Sequence, residues 1–318
     1  MNIAVRLFYL KADVGKFVAN AVSGLVRNKE KRHKLRDRLN PLNPERCVRY
    51  LSDHYARAVP SETPSAHEER EIIWMCWLQG EAKAPRLVLN CIESVRRLAD
   101  SSQRVVVLTE HNFSQYVELP AVFVSKWRGG LISNTHFSDL LRIHALAQHG
   151  GYWIDATCLQ TSAVPSFIRE SSLFMFRSHG EFSYTLIQSC FIRCERDNYV
   201  MRKWCAAMEA YWQREDRLIQ YFALHLMFIA LVRSDEAFAA QYRAMPVVSD
   251  EPMHILLEKI VSGAHYDEAT MDRARKAAFF QKLTYKFPPR LLDDGRSFAS
   301  VLSGKDLFTA SLTPCLCP

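Results

Sequence analysis

The chain of 318 residues has no cysteine pair in a CxxC spacing, and its nine cysteines are an odd number without a regular framework. That leaves no zinc-ribbon or dithiol motif to read and no disulfide pattern to assign; the closest spacings are Cys190/Cys194 and Cys315/Cys317. The expectation is reduced thiols in a cytoplasmic protein. Long apolar runs are missing too. The apolar stretch Tyr221–Val232 has 12 residues, short of a bilayer span, and Leu7–Leu10 is too brief for the core of a signal peptide, so no export is expected. No segment recurs at a period of 20 to 50 residues, which excludes a solenoid.

Excess charge of one sign is absent outside the N-terminus. Residues 1–60 hold 13 Lys and Arg against 5 Asp and Glu, leaving 28 against 29 for the rest of a chain whose net charge is +7. From Leu7 to Val26 apolar residues recur every 3.6 positions, interleaved with Lys11, Lys16 and Arg27, which predicts an amphipathic helix. The basic run Lys29–Arg38 follows. Two readings compete: a solvated helical extension packed on its own domain, or a segment, residues 1–40, that rests on an anionic membrane at the inner face of the plasma membrane. Nucleic acid is not an expected partner, because aromatics are few there and no recognition motif appears.

The polar, proline-bearing stretch 59–70 reads as a linker, separating a helical extension over 1–60 from a domain over 61–318. Beyond it Ile72–Leu78 is a continuous apolar run suited to a buried strand. Pro85–Leu98 reads as a helix, Arg104–Thr109 as a second strand and Val122–Val124 as a short third. This alternation predicts an α/β fold with a parallel sheet. Leu173–Phe176 and Gln188–Arg193 are further strand candidates. Asn198 caps a helix to about Arg214, Tyr221–Val232 is another, and 235–280 is mostly helical, with breaks at Met245-Pro246 and Asp250–Pro252. The tail from Pro288 has no assignable pattern.

The chemistry concentrates in Asn134–Thr157. Phe137, Leu140, Leu141 and His144 fall on one helical face, Asn134 or Thr135 supplies an N-cap, and Gly150-Gly151 ends the helix and lets backbone approach a ligand. Tyr152–Ile154 then delivers Asp155 to the carboxyl end of a strand, where open α/β sheets bind ligands. Asp155 suits a hard divalent ion, Mn²⁺ or Mg²⁺, held against a diphosphate, although a lone Asp there is often a turn residue. Asp139 and Arg142, three apart, share a helix face and suit hydroxyl and phosphate recognition; the plain alternative is a surface ion pair.

Ile73–Gly80, His136–Arg142, Gly150–Thr157 and Gln281–Lys286 together resemble the bacterial capsular polysaccharide synthesis glycosyltransferases, relatives of the family-32 sugar transferases with a DXD region. The resemblance spans about residues 70–287 and rests on the order and spacing of four motifs. It implies a GT-A-like fold with additional C-terminal helices, and a retaining, metal-assisted transfer from a nucleoside-diphospho-sugar donor to a glycan or lipid-linked acceptor. By that likeness Asp155 is the first Asp of the DXD motif and the metal ligand. Ser138, Asp139 and Arg142 are the pair-bearing motif at the donor, with Gly151 and Thr157 beside it. Trp77 stacks on the nucleotide base unless it is a core tryptophan, and Lys282 and Lys286 offer positive charge to the diphosphate.

Three positions depart from the pattern. Thr157 stands where DXD enzymes carry their second carboxylate, though Asp-Ala-Thr looks usual for the capsular branch. Gln220 stands where Asp is expected and Gln281 where His often precedes Lys-Leu-Thr-Tyr-Lys. Neutral amides are no general bases, so a second hypothesis is a weak or inactive sugar-nucleotide- or carbohydrate-binding protein on the same fold. A phosphatase with Asp at a strand end wants an acid two residues on, and Thr157 is not one.

Overall fold

A computed structural model describes residues 3–26, 31, 35, 39–60, 71–293, 295–305 and 307–308. Most of the basic run 29–38, the greater part of the 59–70 linker and Cys315/Cys317 lie outside the described residues. The chain divides into two compact units, one of residues 1–62, 119–140 and 202–243, the other of 63–118, 141–201 and 244–318.

The first unit is helical. The expected N-terminal helix is Ile3–Gly24, which buries Tyr9, Ala12, Ala19 and Ser23. Helix Pro44–His54 starts where the Asn43 side chain accepts the Arg46 N–H and Pro44 occupies the first turn, a position that needs no N–H donor. It packs against Ala223–Ser234, the helix expected over 221–232. Val122–Val124 is not a strand: Pro120 opens a helix, Ala121–Arg128, of which Phe123 alone is fully buried. A single inward-facing residue suits a two-turn helix better than a buried strand.

The second unit carries the strands β1 (Glu71–Cys76), β2 (Gln103–Leu108), β3 (Gly151–Ile154), β4 (Cys158–Gln160), β5 (Leu173–Arg177), β6 (Ile187–Cys194) and β7 (Phe280–Lys282). Five form a sheet in the order β2-β1-β3-β6-β5, and β4 pairs with β7. The parallel expectation holds for β2, β1 and β3; β6 is antiparallel to both of its neighbours, β3 and β5, so the sheet is mixed. A short 3₁₀ connection, Gly180–Thr185, joins β5 to β6 and leaves no length for a crossover helix. Helix Arg86–Leu98 follows Pro85, and Phe174, Phe176, Phe191, Phe279 and Phe280 interlock in the core through edge-to-face and stacked contacts. Asn198 caps Tyr199–Arg214 as expected, accepting the N–H groups of Val200 and Met201. The 235–280 segment holds helices Glu236–Ala244, Ile255–Ser262 and Glu268–Ala277, but its end turns into β7.

Helix Asn134–His149 runs from one unit into the other. Its cap is Ser133, whose Oγ accepts the His136 N–H, rather than Asn134 or Thr135. Gly150 ends it at φ +69°. Gly151, at φ +88°, is pressed against β1: a Cβ there would lie 2.2 Å from the Ile72 carbonyl oxygen. Its need for glycine is met by strand packing at the amino end of β3, not by ligand approach.

Candidate active site

Because β1 and β3 are parallel neighbours, paired Ile73 to Tyr152 and Trp74 to Trp153, their carboxyl ends share one edge of the sheet. Trp77 follows β1 there and Asp155 follows β3. Asp155 anchors a tight turn: its N–H donates to the Cys190 carbonyl and its own carbonyl accepts the Cys158 N–H, both at 2.8 Å. The turn leads into β4. Opposite Cys158 in the β4–β7 register stands Lys282, and the Leu283 N–H donates to the Thr157 carbonyl at 2.8 Å.

Around the Asp155 carboxylate the donors crowd. Oδ1 accepts from Arg142 Nη2 and from Trp153 Nε1, each at 2.9 Å. Oδ2 accepts from Lys282 Nζ at 2.7 Å, and the same ammonium donates to Thr157 Oγ1 at 2.8 Å. Arg142 also donates to Ser189 Oγ and lies over the Trp153 ring, 5.1 Å from its centroid. Its side chain is only 7% exposed, whereas those of Asp155 and Lys282 are each 23% exposed. Arg142 is thus a buried brace and Lys282 the cation that solvent reaches. Burial alone would raise the Asp155 carboxyl; the Lys282 and Arg142 charges and their hydrogen bonds outweigh it and hold the group at about 2. For Lys282 burial pulls downward, and the Asp155 charge prevails and raises it.

Arg142, Asp155, Thr157 and Lys282 therefore meet. Asp139 and Ser138, both half-buried, belong to the part of the helix in the other unit. Gly151 stands at the far end of β3 from Asp155. Lys286 is exposed, its Nζ 5.8 Å from the Tyr285 ring centroid. Trp77 is half-buried, edge-on to Tyr285 at 5.2 Å between centroids, with an indole N–H that has no partner. Gln281 is a structural amide: fully buried, it donates to the Pro252 and Ala274 carbonyls and accepts the Leu256 N–H. Gln220 accepts the Phe222 N–H at the start of the next helix, a task an Asp would also perform. Trp153 and Ser189 were missed in the sequence. Trp153 had a signal, since residues two apart in a strand face the same side; Ser189 had none.

The donor set does not suit the expected Mn²⁺ or Mg²⁺. Three N–H donors already bind Asp155, Thr157 offers a hydroxyl that accepts from Lys282, and no group of three or more His, Cys, Asp or Glu among the described residues is placed to hold a metal ion. A divalent ion on Oδ2 would face the Lys282 ammonium at about 4 Å, a repulsion of about 8 kcal/mol at an effective dielectric near 20. The seven described cysteines are buried, and none is in a disulfide.

Residues 28–301 match the family model "Capsular polysaccharide synthesis protein", and the chain belongs to that family. No curated protein matches it. Among solved structures it is similar to "PaToxG Glycosyltransferase", at 13% identity and a TM-score of 0.37 over 92% of this chain and 97% of that one.

Proposed function

We propose that this chain is a glycosyltransferase of capsular polysaccharide synthesis. It takes a sugar from a nucleoside-diphospho-sugar donor on a GT-A-like scaffold and passes it, with retention, to a growing or lipid-linked glycan. One observation carries the reading: a part-open carboxylate at the shared carboxyl edge of β1 and β3, held between a buried guanidinium and a reachable ammonium. The remaining lone pair of Asp155 Oδ2 accepts a donor-sugar hydroxyl. Negative charge that develops on the departing diphosphate is met by Lys282, while Arg142 keeps Asp155 in place. Trp77 offers its ring to the nucleotide base from the neighbouring strand end. Lys286 adds exposed positive charge. The test is incubation of the full chain with a panel of UDP- and GDP-sugars and release of nucleoside diphosphate as readout. Release above the buffer rate that is lost in Asp155→Asn is expected.

Thr157 favours one alternative, because it contributes a hydroxyl where a second carboxylate would act. A non-catalytic sugar-nucleotide-binding protein would bind the same panel with no release in any condition.

We further place the chain in the cytoplasm, peripherally on the inner face of the plasma membrane. No helix among the described residues is long and apolar enough to cross a membrane. Opposite the packed face of Ile3–Gly24, however, Leu7, Leu10, Val14, Phe17 and Val18 are exposed, Phe17 by 76%, and Leu25 just beyond by 84%. An apolar stripe in a basic segment suits an anionic interface. Co-flotation with vesicles containing phosphatidylglycerol, weakened at least tenfold in Phe17→Ser/Leu25→Ser, is the expected result; equal flotation of the variant would remove this stripe from the account.

A further inference from the structure

We propose that the Lys282 ammonium is itself the cation at the donor diphosphate, so that donor binding needs no divalent ion at Asp155. This rests on the glycosyltransferase reading and deepens it. Lys282 spends two of its three ammonium protons on Asp155 Oδ2 and Thr157 Oγ1, which leaves a third for a ligand oxygen. Its side chain is 23% exposed, so that proton is within reach of a bound molecule. The backbone beneath is clamped: β7 is paired to β4 at Cys158–Lys282, and Leu283 donates to Thr157, so the ammonium is positioned before any ligand arrives. Two cations around one carboxylate leave a net positive charge facing the diphosphate, and a metal ion on Oδ2 would stand against the repulsion of the ammonium beside it.

The test uses the full chain and two direct readouts. Binding of UDP, GDP, ADP and CDP is measured by calorimetry in EDTA and in millimolar Mn²⁺, and bound Mn²⁺ is followed through loss of its free six-line electron paramagnetic resonance signal, with nucleotide alone as control. At least one nucleotide is expected to bind in EDTA within about threefold of its affinity in Mn²⁺, with no Mn²⁺ taken up beyond the nucleotide control. Lys282→Met should weaken that affinity at least tenfold with no rescue by Mn²⁺, and Lys282→Arg should recover part of it. Lys282→Arg also keeps the ion pair, and so separates loss of the ligand contact from loss of the fold.

Binding that appears only with Mn²⁺, accompanied by Mn²⁺ uptake, would overturn the role of Lys282 while leaving the sugar-transfer reading standing. An unchanged affinity in Lys282→Met would do the same. No nucleotide binding in either condition would remove both.

Discussion

Two carboxylates, one in each unit, are held by opposite kinds of partner. Asp155 sits between two cations and is part-open to solvent. Glu215 is sealed: none of its surface is exposed, Oε1 accepts from the Tyr50 hydroxyl at 2.6 Å and from the Tyr55 hydroxyl, and Oε2 has no partner. A cation stands close by, but Lys126 gives its protons to the Trp212 and Glu215 backbone carbonyls and pairs with Asp216, not with the Glu215 carboxylate. Burial, then the bond to Glu215, raises both tyrosine hydroxyls, which stay neutral donors. A carboxylate caged by neutral hydroxyls is suited to hold segments together, since any rearrangement would leave buried polar groups unpaired. One balanced by charges at a partly open edge can trade a contact for a ligand.

The comparison breaks or sharpens under amide substitution. Asp155→Asn places an NH₂ against the Lys282 ammonium and leaves two cations without a counter-charge. The expected loss is about 3–5 kcal/mol in urea unfolding, together with loss of nucleoside diphosphate release. Next in size is the acid response. The folded pKa of Asp155 lies below its unfolded value, so its contribution, about 2 kcal/mol, is fully present above the unfolded pKa near 4 and is lost as pH falls through the folded value of about 2. The stability gap between the natural chain and Asp155→Asn should therefore narrow over that window; a gap independent of pH would show that the carboxylate is not held by its cations. Tyr50→Phe and Tyr55→Phe should each cost about 1 kcal/mol, the worth of one buried hydrogen bond. Smallest is Glu215→Gln. The amide oxygen still accepts both hydroxyls and the NH₂ replaces an oxygen that had no partner, so a loss of about 1 kcal/mol or less is expected. Equal losses in Glu215→Gln and Asp155→Asn would erase the distinction between the two sites.

Much of this was legible from residue pattern. The run Ile72–Leu78 is apolar throughout because β1 is covered on both faces, and Asn198 announces its helix by a side chain that accepts two first-turn N–H groups. Arg142 and Asp155 were placed together correctly because a helix, a glycine stop and a four-residue strand leave few geometries between them. Other features depend on partners distant in the chain. The strand Phe280–Lys282 has three residues and follows a helix, so nothing local distinguishes it; only pairing with Cys158–Gln160 makes it a strand. Gly151 reads as a ligand-approach glycine until Ile72 is seen against it. The departure at Gln281 likewise loses its chemical meaning once all of its contacts prove to be backbone groups.

By itself the sequence determined the α/β alternation, the delivery of Asp155 to a strand end and the family, because these follow from periodicity and from motifs close together in the chain. The tertiary structure alone decided what the carboxylate faces. Lys282 lies 127 residues from Asp155, and a two-stranded pairing with one register, rather than any local preference, sets its ammonium 2.7 Å from Oδ2.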